Sequence, residues 1–216
     1  FQTISNNTIS TRRRGIFYNL HTGSGVSPLT LSGNTITGID NANETDWDGI
    51  LAASLSDAAG IISNNMIDGS GVSAPTQGIE VWNVNPASPV SISGGSVSNV
   101  GIGVYVNNYE GYNSNGGNTA AIIDGINLTN NLGLGIYVKD SPSNTNGATV
   151  FAEIKGNTEI NTNPNGTAIL IEGSDASANI HDNLSTITGN EIGVLVDNGN
   201  ATITNNTISA NGTGIL

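Results

Sequence analysis

Four carboxylates crowd into one short run: Asp40, Glu44, Asp46 and Asp48. Glu44-x-Asp46-x-Asp48-Gly49 has the alternating oxygen donors with which a calcium loop begins, because a hard cation takes several oxygen ligands. The acid expected at the twelfth position of such a loop is missing, and Leu55 stands there. One repeat earlier lies the opposite charge, Arg12-Arg13-Arg14. If the two runs stack, the arginines and acids neutralise each other, or the acids keep their oxygens for calcium. His21 and His181 sit on separate repeats without a partner pattern and read as loop histidines. The chain has no cysteine, so neither a disulfide nor a Cys-based zinc site is available. No organic cofactor is implied.

Composition narrows the partners. Charged residues make up 10% of the 216 residues, against about 25% in ordinary soluble domains. Five Lys/Arg against seventeen Asp/Glu give a formal net charge of −12. Nucleic acid is excluded on that balance, since its binding rests on cations at phosphates. Membrane insertion is excluded too, because no apolar run approaches about 18 residues. Asn, Gly, Ser, Thr and Ile fill the charge deficit, a poor recipe for helices. The chain opens on Phe1 with no leader in view, and is expected to be a segment of a longer protein.

Repeats must position the charged groups. A small residue followed by a β-branched one recurs at Gly15-Ile16, Gly49-Ile50, Gly78-Ile79, Gly103-Val104, Gly135-Ile136, Ala168-Ile169, Gly193-Val194 and Gly214-Ile215. The spacings run from 21 to 34 residues. A second mark precedes each, as in Asn6-Asn7-Thr8-Ile9, Asn64-Asn65-Met66-Ile67 and Asn205-Asn206-Thr207-Ile208. A third, such as Leu29-Thr30-Leu31 or Val90-Ser91-Ile92, comes just before that. Each repeat therefore reads as three short period-two strands separated by turns. Such a unit cannot bury its apolar face alone, so stacked repeats must share one Ile/Val interior.

These Asn-Asn-x-Ile and Gly-Ile-x-Val signatures resemble the right-handed parallel β-helix proteins of the pectate-lyase-like superfamily, over essentially the whole chain. The expected fold is all-β, a right-handed single-chain parallel β-helix of about seven to eight rungs with three short strands per rung. Residues 1–216 form one domain. The resemblance implies that Asn7, Asn34, Asn65, Asn157 and Asn206 form a stacked amide ladder in a tight turn. It also implies an arginine-plus-calcium lyase centre as one use of the charged runs. The Asp-Asp and Gly-His-Gly signatures of the family's hydrolases are absent.

In each Gly-Ile-x-Val strand the Ile and Val point inward, so x points outward. That column contains Phe17, Leu51, Glu80, Tyr105, Tyr137, Leu170 and Leu195, with Trp82, Asn107, Lys139 and Glu172 two positions further along their strands. A continuous exposed apolar stripe is expected to mark an interaction. Three readings stay open: a glycan platform built on Tyr105, Tyr137 and Trp82 with Glu80 and Asn107 as polar partners, a seam for self-association or a neighbouring domain, and a face covered by loops. The loops in question are His21 to Pro28, Asn107 to Thr119 with Tyr109 and Tyr112, and Lys139 to Thr149. Glu80 and Glu172 lie too many rungs apart for a glycosidase pair. The functional expectation is a non-catalytic extracellular or cell-surface scaffold, adhesin or matrix element that contacts a polysaccharide or its own copies. The alternative is a calcium-assisted polysaccharide lyase.

Overall fold

A computed structural model describes residues 2–19, 29–39, 46–53, 60–82, 89–108, 117–142, 147–162, 164–183, 187–209 and 211–216. They form an all-β parallel solenoid in which each coil gives one short strand to each of three sheets. Each sheet has eight strands. Sheet A runs from Gln2–Ser5 to Asn200–Thr204, sheet B from Thr8–Thr11 to Ile208–Ser209, and sheet C from Arg14–Asn19 to Thr213–Ile215. No helix of the described residues is long and apolar enough to cross a membrane.

The register stacks like on like. Sheet A aligns Leu31, Ile62, Ile92, Ile123, Ile154 and Ile180. Sheet B aligns Ile36, Ile67, Val97, Leu128, Ile160 and Ile187. Sheet C aligns Ile50, Ile79, Val104, Ile136, Ile169 and Val194. All eighteen are at most 2% exposed and belong to one core. Branched side chains suit this pleated wall, and each buried one stabilises by about 2 kcal/mol. The glycine at the second position of most sheet C strands makes room for the sheet B column. A Cβ at Gly49 would fall 2.5 Å from Ile67 Cγ2, and one at Gly78 would fall 2.1 Å from Val97 Cγ1.

The corner from sheet A to sheet B repeats one backbone trick. Asn6, Gly33, Asn64, Gly94, Gly125, Gly156, Asp182 and Asn205 all hold φ between 52 and 66°. Glycine takes that left-handed conformation freely and Asn or Asp at small cost, which explains why these three types occupy the position. The residue after it turns inward. Asn34 Oδ1 accepts from the Asn7 backbone N–H at 3.1 Å and from its Nδ2 at 3.0 Å. Asn65 Oδ1 accepts the same pair from Asn34, at 3.0 Å each. The Asn34 and Asn65 side-chain amides also donate to Ile4 O and Leu31 O, both at 2.9 Å. Each inward amide thus satisfies backbone groups that would otherwise be buried unpaired.

Glycine 95 and Ile126 interrupt this ladder, and Asn157, Asn183 and Asn206 resume it. Asn183 was not among the expected members. It follows Asp182 rather than Asn or Gly, which hides it in the sequence. A second ladder stands at the corner from sheet B to sheet C. There Thr162 donates to Asn190 Oδ1 from both its N–H and its hydroxyl, and Asn190 donates to Asn211 Oδ1. Replacing Asn65 by Ala should cost about 3 kcal/mol in urea unfolding, because the Asn34 donors and Leu31 O all lose a partner. Asn7→Ala, at the exposed end of the ladder, should cost under about 1 kcal/mol. Equal losses at both positions would show that the ladder does not carry the corner.

Candidate glycan-contact face

Strand alternation and register place the expected outward residues of sheet C in two rows. Phe17, Leu51, Glu80, Tyr105, Tyr137, Leu170 and Leu195 are successive partners across the sheet. Asn19, Ala53, Trp82, Asn107, Lys139 and Glu172 are successive partners two residues further on. The rows are not the continuous exposed stripe expected from the sequence. Phe17 is 53% exposed, whereas Leu51, Trp82 and Tyr137 are 5%, 8% and 8% exposed. Leu51, Ala53 and Trp82 close on one another as a small buried cluster separate from the main core. Tyr105 and Tyr137 stack with ring centroids 5.0 Å apart, and Lys139 Nζ sits 5.3 Å over the Tyr137 ring. Most of the stripe is therefore withdrawn from solvent, which a list of outward positions does not show.

A cavity of about 510 Å³ opens at the early strands of this face. Among the described residues, Phe17, Leu51 and Trp82 supply its apolar walls, and Arg13, Arg14, Asn19 and Glu80 its polar ones. The Arg14 guanidinium carbon lies 5.2 Å from the Phe17 ring centroid, a cation–π contact. The charged runs do stack. Arg13 Nε reaches Asp46 Oδ1 at 3.1 Å, Arg14 Nη2 reaches Asp46 Oδ2 at 3.2 Å, and Arg14 Nε reaches Asp48 Oδ2 at 3.1 Å. Thr76 donates its hydroxyl to Asp48 Oδ1 at 3.0 Å. Asp40 and Glu44 lie outside the described residues, as do His21, Tyr109 and Tyr112. Asp46 and Asp48 thus give their oxygens to arginine and Thr76. Among the described residues no group of three or more His, Cys, Asp or Glu could hold a metal.

Electrostatics single out Glu80. Burial pushes its carboxyl up to about 7, the Asn107 hydrogen bond and Arg14 pull it down, and Asp48 adds to the rise. Asn107 Nδ2 donates to Glu80 Oε1 at 2.9 Å. Asp48 is raised by burial against the pull of Arg14 and Thr76. Burial likewise raises both stacked phenols, and Tyr137 also donates its hydroxyl to Glu172. Glu172 pairs with Lys139 at 3.7 Å, an exposed contact of little energetic weight.

No family model, no curated protein and no solved structure matches this chain. Function therefore rests on the geometry of its own side chains.

Sheet A carries a cluster that the sequence reading missed. His181 ends the strand Ala176–His181 instead of standing alone in a loop. Its Nε2 lies 3.2 Å from Glu153 Oε1 and its Nδ1 2.8 Å from Asp182 Oδ2, while Lys155 reaches Glu153 at 3.0 Å. Glu153 and His181 are separated by a full coil, so only the strand register reveals the pair. A second, acidic cleft of about 370 Å³ includes Asp140, Glu172 and Asp197.

Two pH responses of opposite origin follow. Glu80 binds its proton more tightly folded than unfolded, so its contribution to stability falls as pH rises from about 4.5 to about 7. In a thermal-melt series across that window, Glu80→Gln should flatten the decline; an unchanged slope would contradict the buried carboxyl. The Asp182 hydrogen bond, and then Glu153, hold the His181 imidazolium above its usual 6.5 against slight desolvation. Its stabilisation is complete below that value and lost as pH rises through the folded-state pKa. An NMR titration should show His181 titrating above 6.5 and shifting down in Glu153→Gln.

Proposed function

We propose that this chain is an extracellular or cell-surface β-solenoid of the pectate-lyase-like kind. It works as a non-catalytic scaffold, adhesin or matrix element that contacts a glycan through the cavity at Phe17 and Trp82. The cavity carries this reading. Aromatic faces suit the C–H surfaces of a sugar ring, and amides, carboxyls and guanidinium groups suit its hydroxyls. Its volume of about 510 Å³ falls within the usual 300–1,000 Å³ of small-ligand sites. The walls stand on three hydrogen-bonded strands, so little order has to be gained on binding. Further along the row, half-buried Leu170 and Leu195 support contact with a second copy or a neighbouring domain.

Glu80 favours a second reading, a polysaccharide-active enzyme, because a carboxyl poised near neutral pH suits proton transfer. The calcium-assisted version of that reading requires Asp46 and Asp48 to leave their arginine partners.

Retention on insoluble polysaccharides tests the scaffold reading. The chain should be retained, and Phe17→Ala should weaken retention about tenfold, roughly 1.4 kcal/mol. Appearance of unsaturated-uronide absorbance over acidic glycans would overturn the non-catalytic assignment. Sedimentation velocity on the same samples reports self-association.

A further inference from the structure

The lining of the cavity constrains what kind of glycan it takes. Two cations, Arg13 and Arg14, face two anions, Asp46 and Asp48, at 3.1 to 3.2 Å. Their formal charges cancel, so this wall offers an incoming anion no net positive charge. Glu80 stands on the wall as well and adds no positive charge in either protonation state. The whole chain carries −12, which repels polyanions at low ionic strength.

The hydrogen-bond inventory agrees. Asn19 lines the cavity, and its Oδ1 is buried without a donor. An orphaned acceptor costs about 1–3 kcal/mol, so a ligand that brings a donor beside it gains what the free protein forgoes. Glu80 has one oxygen on Asn107 and a second to offer. Sugar hydroxyls donate as well as accept, and a uronate exchanges one of them for a carboxylate that only accepts. Phe17 and Trp82 supply the apolar contact that a neutral ring surface needs.

We propose that the cavity selects an uncharged, hydroxyl-rich oligosaccharide over a polyuronate. This rests on the glycan reading above. The Arg13 and Arg14 wall is a neutralised structural pair that shapes the cavity, and Asn19 is a specificity-determining acceptor.

Calorimetric titration of the full chain decides between classes. The probes are neutral gluco-, xylo-, galacto- and manno-oligosaccharides against oligogalacturonate and oligoalginate, each at low and high salt. A neutral oligosaccharide should bind with less than twofold change between the salt conditions. Phe17→Ala should weaken it about tenfold, and Asn19→Ala should weaken it severalfold, with circular dichroism confirming that both variants fold. Binding of a uronate oligomer that falls steeply with salt would overturn the neutral-ligand assignment while leaving the glycan reading intact. Failure of every oligosaccharide to bind would overturn both. Neutral binding that Asn19→Ala leaves unchanged would overturn the role of that acceptor.

Discussion

The corner between sheets A and B is the constraint on which the molecule depends. A backbone that turns sharply enough to start a new sheet leaves amide and carbonyl groups facing inward, away from water. The left-handed residue makes the turn, and the following asparagine supplies two donors and an acceptor that the buried backbone lacks. Because each amide bonds to its counterpart in the next coil, the same contact that satisfies one corner aligns the following one. In-register stacking of Ile and Val on all three sheets is then a consequence of corners that agree. Where Gly95 and Ile126 stand instead, backbone bonds such as Ser96 N–H to Asn65 O and Asn127 N–H to Gly95 O keep the register, and Ile126 joins the core.

The face of sheet C inherits this alignment. Phe17, Leu51 and Glu80 come from three coils, with intervals of 34 and 29 residues in sequence, and are neighbours only because the strands pair without slippage. The charged runs obey the same geometry. Arg14 and Asp48 are register partners, so their ion pair extends the strand pairing into the side chains. The cavity is therefore a product of stacking, with walls as rigid as the sheet beneath them.

The parallel solenoid, its three strands per coil and the inward columns were legible because period-two alternation and the glycine and asparagine marks survive in most repeats. The roles of particular surface residues were less so. Asn183 escaped notice because Asp182 replaces the expected Asn or Gly, and in the second ladder Thr162 departs from the Asn that stands three residues before Gly193 and Gly214. His181 looked solitary because its partner Glu153 is a full coil away. The outward row keeps one register, but its exposure was not legible, since the closing of Trp82 on Leu51 and the stacking of Tyr105 on Tyr137 depend on side-chain conformation. Periodicity states which way a side chain leaves the backbone. It does not state what leans over it.

The hydrogen bonds of all three sheets run from coil to coil, along the length of the solenoid. A load applied along that length pulls on those bonds end-on, so they open a few at a time. Release then proceeds coil by coil, each step yielding a coil's length of slack chain while the remainder stays folded. A load applied across the coils must instead shear many bonds together. The same stack is thus a ratcheted tether in one direction and a stiff plank in the other.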